Sequence, residues 1–444
     1  MKCTRLFILL MLGLGIGFTL NAQCPQRYND VVFNKLKITP NILFGGNKKA
    51  LDGTPTWLAL DMYEPADDTA TLRPFIVLMH SGGFNRNVPF TRKTLDIQAM
   101  AKDLARRGYV VISPEYRLFS GEVTFPKFAQ TFGAALFDTH EMMCFLQESV
   151  VSGNPYRLDT SLFFMGGVSA GGLIALNFGA FVDEVEEIPE PWRPEFLKMA
   201  DLDGLDLQTL LDNKFCSIRP KAIFSVSAAL LDTNMIKPVE AEFFIMHGVK
   251  DTIVPFLSGY PLGDPSFPDV FGSGTLINPL QNKGIPVVAD FYPEGNHTPH
   301  VFPFAADPLE VIQQVLEFGG IFVDSILDST ITQMAKMAYR IMGSPARPCT
   351  VTGIRDEVFS DLLIIYPNPS KGSFEMKVPS GIINEQIRLS VHDISGRLIY
   401  EETLTASSII RLSLENETNG YYFITMEAIN QPNLLPYSGK WMKF

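Results

Sequence analysis

Positive charge is in short supply in this chain: 36 Lys and Arg stand against 48 Asp and Glu over 444 residues, a formal net charge of -12. That balance argues against nucleic acid as a partner, because phosphates would be repelled. Cysteine is scarce too, and none of the five (Cys3, Cys24, Cys144, Cys216, Cys349) has metal-site spacing. No long segment has the composition of a disordered tract. No internal repeat of solenoid or propeller period runs through the chain. Beyond one apolar stretch at the N-terminus, nothing reads as a membrane span. What remains is an ordinary globular composition, long enough for two domains.

The N-terminal stretch has its own logic. Lys2 and Arg5 precede an apolar and Gly run over 6–20, followed by Asn21-Ala22-Gln23. The run is too short to span a bilayer comfortably as a mature helix. It has the form of a secretory signal peptide, residues 1–22, cleaved after Ala22. A lipoprotein signal ending at Cys24 is the rival, but Gln23 stands where such a signal wants a small residue. Cleavage removes Cys3 and leaves four cysteines, which can pair in three ways that the sequence does not choose among. Export permits disulfides. A buried free thiol is the alternative for Cys144, on its helical-looking stretch.

From residue 23 to about 345, short apolar runs alternate with amphipathic stretches. This is the pattern of an α/β domain, a mostly parallel sheet with helices on both faces. Strands are expected over 57–63, 75–79, 109–113, 162–165, 222–226, 242–246 and 287–292. Helices are expected over 94–107, 132–148, 173–181 and 309–327. Residues 183–215 break the rhythm with acidic residues, three prolines and Trp192, and read as a cap insertion. Residues 346–361 read as a linker. From 362 to 444 the pattern is strict alternation between turn residues, a small all-β module without helix.

The chemistry centres on Gly167-Val168-Ser169-Ala170-Gly171. The serine follows an apolar strand and precedes a helix, the setting of a nucleophile elbow. The helix aims its positive end at the place where oxyanion charge develops, and the backbone N–H of Ala170 is an oxyanion donor. His80-Ser81-Gly82-Gly83-Phe84 follows an earlier strand, where the second donor belongs, with Gly82 and Gly83 as candidates. A serine hydroxyl needs a base, and this fold supplies its partners in the order Ser, acid, His. Asp251 follows the 242–246 strand and is the expected orienting carboxylate. His297 follows the last strand and is the expected general base. Asp232 and His300 are the rivals to these two. His80 and His247, each beside a glycine or loop near the site, read as loop-ordering residues. The run Asp201 to Asp206 lacks the downstream Glu of a Ca²⁺ loop and reads as a solvated acidic loop. Phe256, Tyr260 and Phe271 are expected as apolar walls of the substrate pocket, shaped with the 183–215 insertion.

These residues carry two resemblances. Leu60-Asp61-Met62-Tyr63-Glu64-Pro65, His80-Ser81-Gly82-Gly83-Phe84, Glu115-Tyr116-Arg117-Leu118 and Gly167-Val168-Ser169-Ala170-Gly171-Gly172 resemble the carboxylesterase and hormone-sensitive-lipase-like branch of α/β-hydrolases, over about 55–325. That resemblance implies ester hydrolysis through an acyl-enzyme, with no metal or organic cofactor and a small-molecule or polymer-derived ester as substrate. The family usually has His-Gly-Gly-Gly in its oxyanion loop, and Ser81 stands here at the first of those glycines. The tail, with Tyr366-Pro367-Asn368-Pro369, Asp393-Ile394-Ser395-Gly396-Arg397 and Gly420-Tyr421-Tyr422-Phe423, resembles a type A sorting domain of the type IX secretion system. It implies a Bacteroidetes source, the type IX machinery as partner, and a secreted or surface-attached product. A related serine peptidase and a non-catalytic surface binding protein on the same fold are the alternative readings.

Overall fold

The computed structural model describes residues 26–88, 90–180, 184–213, 216–301, 324–343, 364–366, 370–378, 382–393, 397–430 and 437–443. The signal segment, the 346–361 linker and the first part of the helix expected over 309–327 lie outside them. Two compact units divide near residue 347.

The first unit is built on strands β1 (Leu36–Lys49), β2 (Pro55–Pro65), β3 (Arg73–Met79), β4 (Val110–Pro114), β5 (Leu158–Val168), β6 (Pro220–Val226), β7 (Ala229–Leu230), β8 (Glu242–Gly248), β9 (Ser258–Gly259), β10 (Val270–Gly272) and β11 (Val287–Tyr292). Its helices are α1 (Leu95–Arg106), α2 (Phe125–Val151), α3 (Ala170–Ala180), α4 (Trp192–Asp203), α5 (Leu207–Asp212), α6 (Ser273–Asn282) and α7 (Asp324–Ile341). Eight strands form one sheet in the order β1-β2-β4-β3-β5-β6-β8-β11. The pairings from β4 through β11 are parallel, and only β1 and β2 run antiparallel to their neighbours. The α/β architecture expected from the alternation is therefore present.

Each central strand is buried on both sides. Along β3, Phe75, Val77 and Met79 join the core beneath α2, α3 and α6, while Ile76 and Leu78 join the core beneath α1 and α7. This period-2 division explains why the strand is a continuous apolar run. Strand β1 escaped the sequence reading. Pro40 and Gly45-Gly46 interrupt its alternation, and its pairing with β2 shifts register three times, so no clean period survives.

The segment expected as a cap holds α4 and α5. It packs down onto α2 through Trp192 and Phe196, which meet Phe125, Phe128 and Phe132 edge-on. The acidic run is not a merely solvated loop. Asp203 pairs with the buried Arg117 at 2.7 Å, and Arg117 also holds Asp138 of α2. A fully buried guanidinium needs such partners. Cys144 of α2 and Cys216 form a disulfide with Cα atoms 5.0 Å apart. That bond settles the free-thiol alternative for Cys144. It ties the end of the insertion to α2.

One close approach fixes the turn between β5 and α3. A Cβ at Gly171 would lie 2.3 Å from the carbonyl oxygen of Met79 and 2.5 Å from that of His80. Gly171→Ala is expected to cost about 3 kcal/mol or more of stability through overpacking against backbone. A lowered urea midpoint at unchanged m value would report it.

The strand pairings described in the second unit are all antiparallel. Strands β12 (Ile364–Tyr366), β13 (Ser373–Lys377) and β16 (Ile409–Ser413) form one sheet; β15 (Leu398–Thr405), β14 (Gln386–Asp393), β17 (Gly420–Ala428) and β18 (Tyr437–Lys443) form another. Its core gathers Phe374, Met376, Ile387, Leu389, Val391, Ile424 and Trp441. No α-helix occurs among its described residues. Across the described residues of both units, no helix is long and apolar enough to cross a membrane.

Candidate active site

Three loops at the C-terminal ends of strands in one half of the sheet converge. Ser169 ends β5, Asp251 follows β8, and His297 follows β11. Ser169 has φ 53, a left-handed conformation unusual for a residue with a side chain. Its backbone N–H donates to the carbonyl of Val226 at 2.8 Å, anchoring the strained turn to β6. The turn projects Oγ toward His297, whose Nε2 is 2.8 Å away. The other ring nitrogen, Nδ1, is 2.7 Å from Asp251 Oδ2. A carboxylate only accepts, so Nδ1 carries the proton and Nε2 is left to accept from the serine hydroxyl.

Asp251 is completely enclosed. Its Oδ1 accepts the backbone N–H groups of Ile253 and Val254 at 2.8 and 2.9 Å. Its Oδ2 takes His297 and also His247 Nε2, at 2.9 Å. Burial by itself would raise this carboxyl. The two imidazoles outweigh burial and hold it well below the ordinary carboxylate range.

The expected oxyanion residues lie beside Ser169. Gly82, Gly83 and Ala170 all line the same cavity as Ser169 and His297. Gly82 and Gly83 turn the loop at φ 123 and 57, which only glycine adopts readily. Ala170 opens α3, and the first bond of that helix is Leu173 N–H to Ser169 C=O. The Ala170 N–H therefore has no acceptor within the helix. Behind the loop, the His80 ring stacks on Tyr116 with centroids 4.2 Å apart, and Tyr116 Oη donates to the His80 carbonyl at 2.7 Å. His80 thus sits under the loop, away from the serine–imidazole–carboxylate chain.

The cavity holds about 200 Å³ of space and is largely apolar. Its walls include Val88, Phe90, Val123, Phe128, Leu173, Ile253, Val254, Leu262 and Val270. The walls expected from sequence need correction. Phe256 packs edge-on against His247 and Phe291, Tyr260 is turned to solvent, and Phe271 joins the core. The residues beside them in sequence, Pro261 and Val270 among them, line the cavity instead. No described residue of 184–213 reaches it either. The insertion acts one layer back, by pressing Trp192 toward Phe128.

The rival site residues are elsewhere. Asp232 caps a short 3-10 turn, accepting from Asn234 N–H at 2.8 Å. His300 is fully buried with Nε2 3.6 Å from Asp96 Oδ2. Asp96, on the first turn of α1, lines the cavity together with Thr298. Sequence reasoning missed this polar corner, because 204 residues separate Asp96 from His300 and no local motif links them.

A mostly parallel sheet that presents a serine on a strained strand-to-helix turn, against an imidazole and an apolar cavity, is the framework of an α/β-hydrolase. Residues 60–213 match the BD-FAE family, and residues 364–434 match the secretion system C-terminal sorting domain. The chain therefore carries an esterase-like α/β-hydrolase domain followed by a type IX sorting domain. Among solved structures it is similar to Thermogutta terrifontis esterase 2 phosphorylated by paraoxon, at 15% identity and a TM-score of 0.44, covering 71% of this chain and 97% of that one. It is also similar to an inhibited esterase B from Lactobacillus rhamnosis, at 15% identity and a TM-score of 0.41, covering 70% of this chain and 89% of that one. A propionate-bound T. terrifontis esterase is similar at 16% identity and a TM-score of 0.43, with 70% and 97% covered. No curated protein matches the sequence.

Proposed function

We propose that the chain is an exported carboxylic ester hydrolase that works through an acyl-enzyme. The observation that carries this reading is the unbroken hydrogen-bond chain from Ser169 Oγ through His297 to Asp251, 2.8 and 2.7 Å long, at the wall of an apolar cavity. Ser169 Oγ attacks the ester carbonyl as His297 Nε2 takes its proton. Asp251 holds the imidazole in the right tautomer and stabilises the imidazolium that forms. The N–H groups of Gly82, Gly83 and Ala170 receive the oxyanion. His297 then protonates the leaving alcohol. Water, activated by the same imidazole, releases the acid from Ser169. No step draws on a metal or organic cofactor.

The proposal extends to the domain extents. Residues 1–22 direct export, 23–345 form the catalytic domain, 346–361 link it to the tail, and 362–444 are the sorting domain. The chain comes from a Bacteroidetes cell and reaches the outside through the type IX machinery, there to be released or attached at the surface.

The test is covalent labelling. Purified protein is incubated with a fluorophosphonate probe beside Ser169→Ala. The wild type is expected to take up one label and the variant none; an unlabelled wild type would sink the serine-hydrolase reading. A panel of p-nitrophenyl esters of rising acyl length, with feruloyl and acetyl-sugar esters, then ranks substrates.

A further inference from the structure

We propose that His247 is a positioning residue for the reaction, a second imidazole that shares the Asp251 carboxylate with His297 and so tunes the base. This rests on the reading of Ser169, His297 and Asp251 given above.

His247 lies near the end of β8 and is fully buried. Its Nε2 is 2.9 Å from Asp251 Oδ2 and 3.1 Å from the carbonyl oxygen of Val254. Both of those atoms can only accept, so Nε2 carries a proton and donates to them. Its Nδ1 is 2.7 Å from Ser273 Oγ, at the start of α6. The ring of Phe256 closes one side, edge-on, with centroids 5.7 Å apart. The imidazole is therefore held at both nitrogens and cannot turn away from the carboxylate.

Both imidazoles donate to one oxygen of Asp251, and two backbone N–H groups fill the other. Four donors leave the carboxylate with little freedom to rotate and little unspent acceptor strength. A carboxylate that already serves His247 grips the His297 imidazolium less tightly than one serving His297 alone. The ionisable groups that act on Asp251 are these two rings. Ser273, Val254, Ile253 and Phe256 are neutral, and the nearby Lys250 and Glu294 pair with each other at the surface.

The experiment measures the rate of fluorophosphonate labelling of Ser169 against pH, which needs no knowledge of the natural ester. In the wild type the rate should rise as His297 loses its proton. His247→Leu removes the donor and frees Oδ2 for His297. Its acidic limb is expected to move upward by roughly one pH unit, the size of one charge-assisted hydrogen bond. His247→Gln places an amide N–H near the lost Nε2 and is expected to return the limb to its wild-type position, whatever its absolute rate. Ser273→Ala loosens the ring from the far side and should give a smaller upward shift. A Leu variant that is folded but keeps the wild-type limb overturns the inference, as does a Gln variant that moves as far as Leu. If the Leu variant fails to fold, the Ser273→Ala limb decides, and an unmoved limb counts against the proposal. A wild type that takes no label defeats the underlying reading itself, whereas a labelled wild type with unmoved limbs defeats only the role of His247.

Discussion

Replacing His297 with glutamine is expected to slow ester turnover by on the order of 10⁶-fold, the scale at which losing the base disables a serine–histidine–acid unit. The reason is local. Nε2 accepts the Ser169 hydroxyl at 2.8 Å because its proton sits on the opposite nitrogen, facing Asp251. A glutamine amide reaches the same place but offers no basic lone pair on nitrogen, so the hydroxyl stays protonated and weakly nucleophilic. The nearby His300 cannot substitute, since it is buried beside Asp96 at 3.6 Å. The residual rate should also lose whatever pH dependence proton transfer through this imidazole imposes. Steady-state kinetics on a p-nitrophenyl ester, with circular dichroism to establish folding, measure both. A loss of less than a hundredfold in folded protein would remove His297 from the base position.

Asp251→Asn is expected to lower kcat by about 10⁴-fold, with a loss of stability as well. The carboxylate faces four donors, two on each oxygen. An asparagine has one oxygen and one NH₂. If the oxygen faces the imidazoles, the NH₂ meets the N–H groups of Ile253 and Val254. If the amide flips, it meets both rings and drives the His297 proton to the wrong nitrogen. Either way two donors confront donors, and a buried donor left unpaired costs about 1–3 kcal/mol. The pH dependence follows from the carboxyl being held well below its ordinary 3.8. A depressed value means the ionised form stabilises the fold at neutral pH. That contribution begins to be lost as pH falls through the ordinary value and shrinks further toward the folded one. Urea midpoints should fall on acidification below about pH 4 in the wild type, and fall less in the variant.

The parts of the site that could be read from sequence are those the backbone encodes locally. The Ser169 elbow needs glycine on either side of a strand-to-helix turn, and that requirement is written in five consecutive residues. Asp251 and His297 were placed by chain order, because each follows a strand of a parallel sheet and loops at strand ends must meet. What escaped was set by packing across distant segments. Phe256 and Phe271 read as pocket walls, yet it is their near neighbours Val254, Pro261 and Val270 that face the cavity. The insertion looked like a cover, yet the Arg117–Asp203 pair and Trp192 draw it onto α2. His247 read as a loop histidine because its partner Ser273 lies 26 residues on, at the start of a helix with no motif of its own. Strand β1 was invisible because bulges had erased its period.

The separation of 128 residues between Ser169 and His297 has a consequence during synthesis. A ribosome that has finished the nucleophile turn has yet to make strands β6 to β11, the carboxylate and the base. Until the loop after β11 emerges and docks, the serine is an ordinary alcohol. On the proposed mechanism the growing polypeptide is thus harmless to esters in the compartment where it is made, and a message truncated anywhere before residue 297 yields a protein that cannot acylate itself.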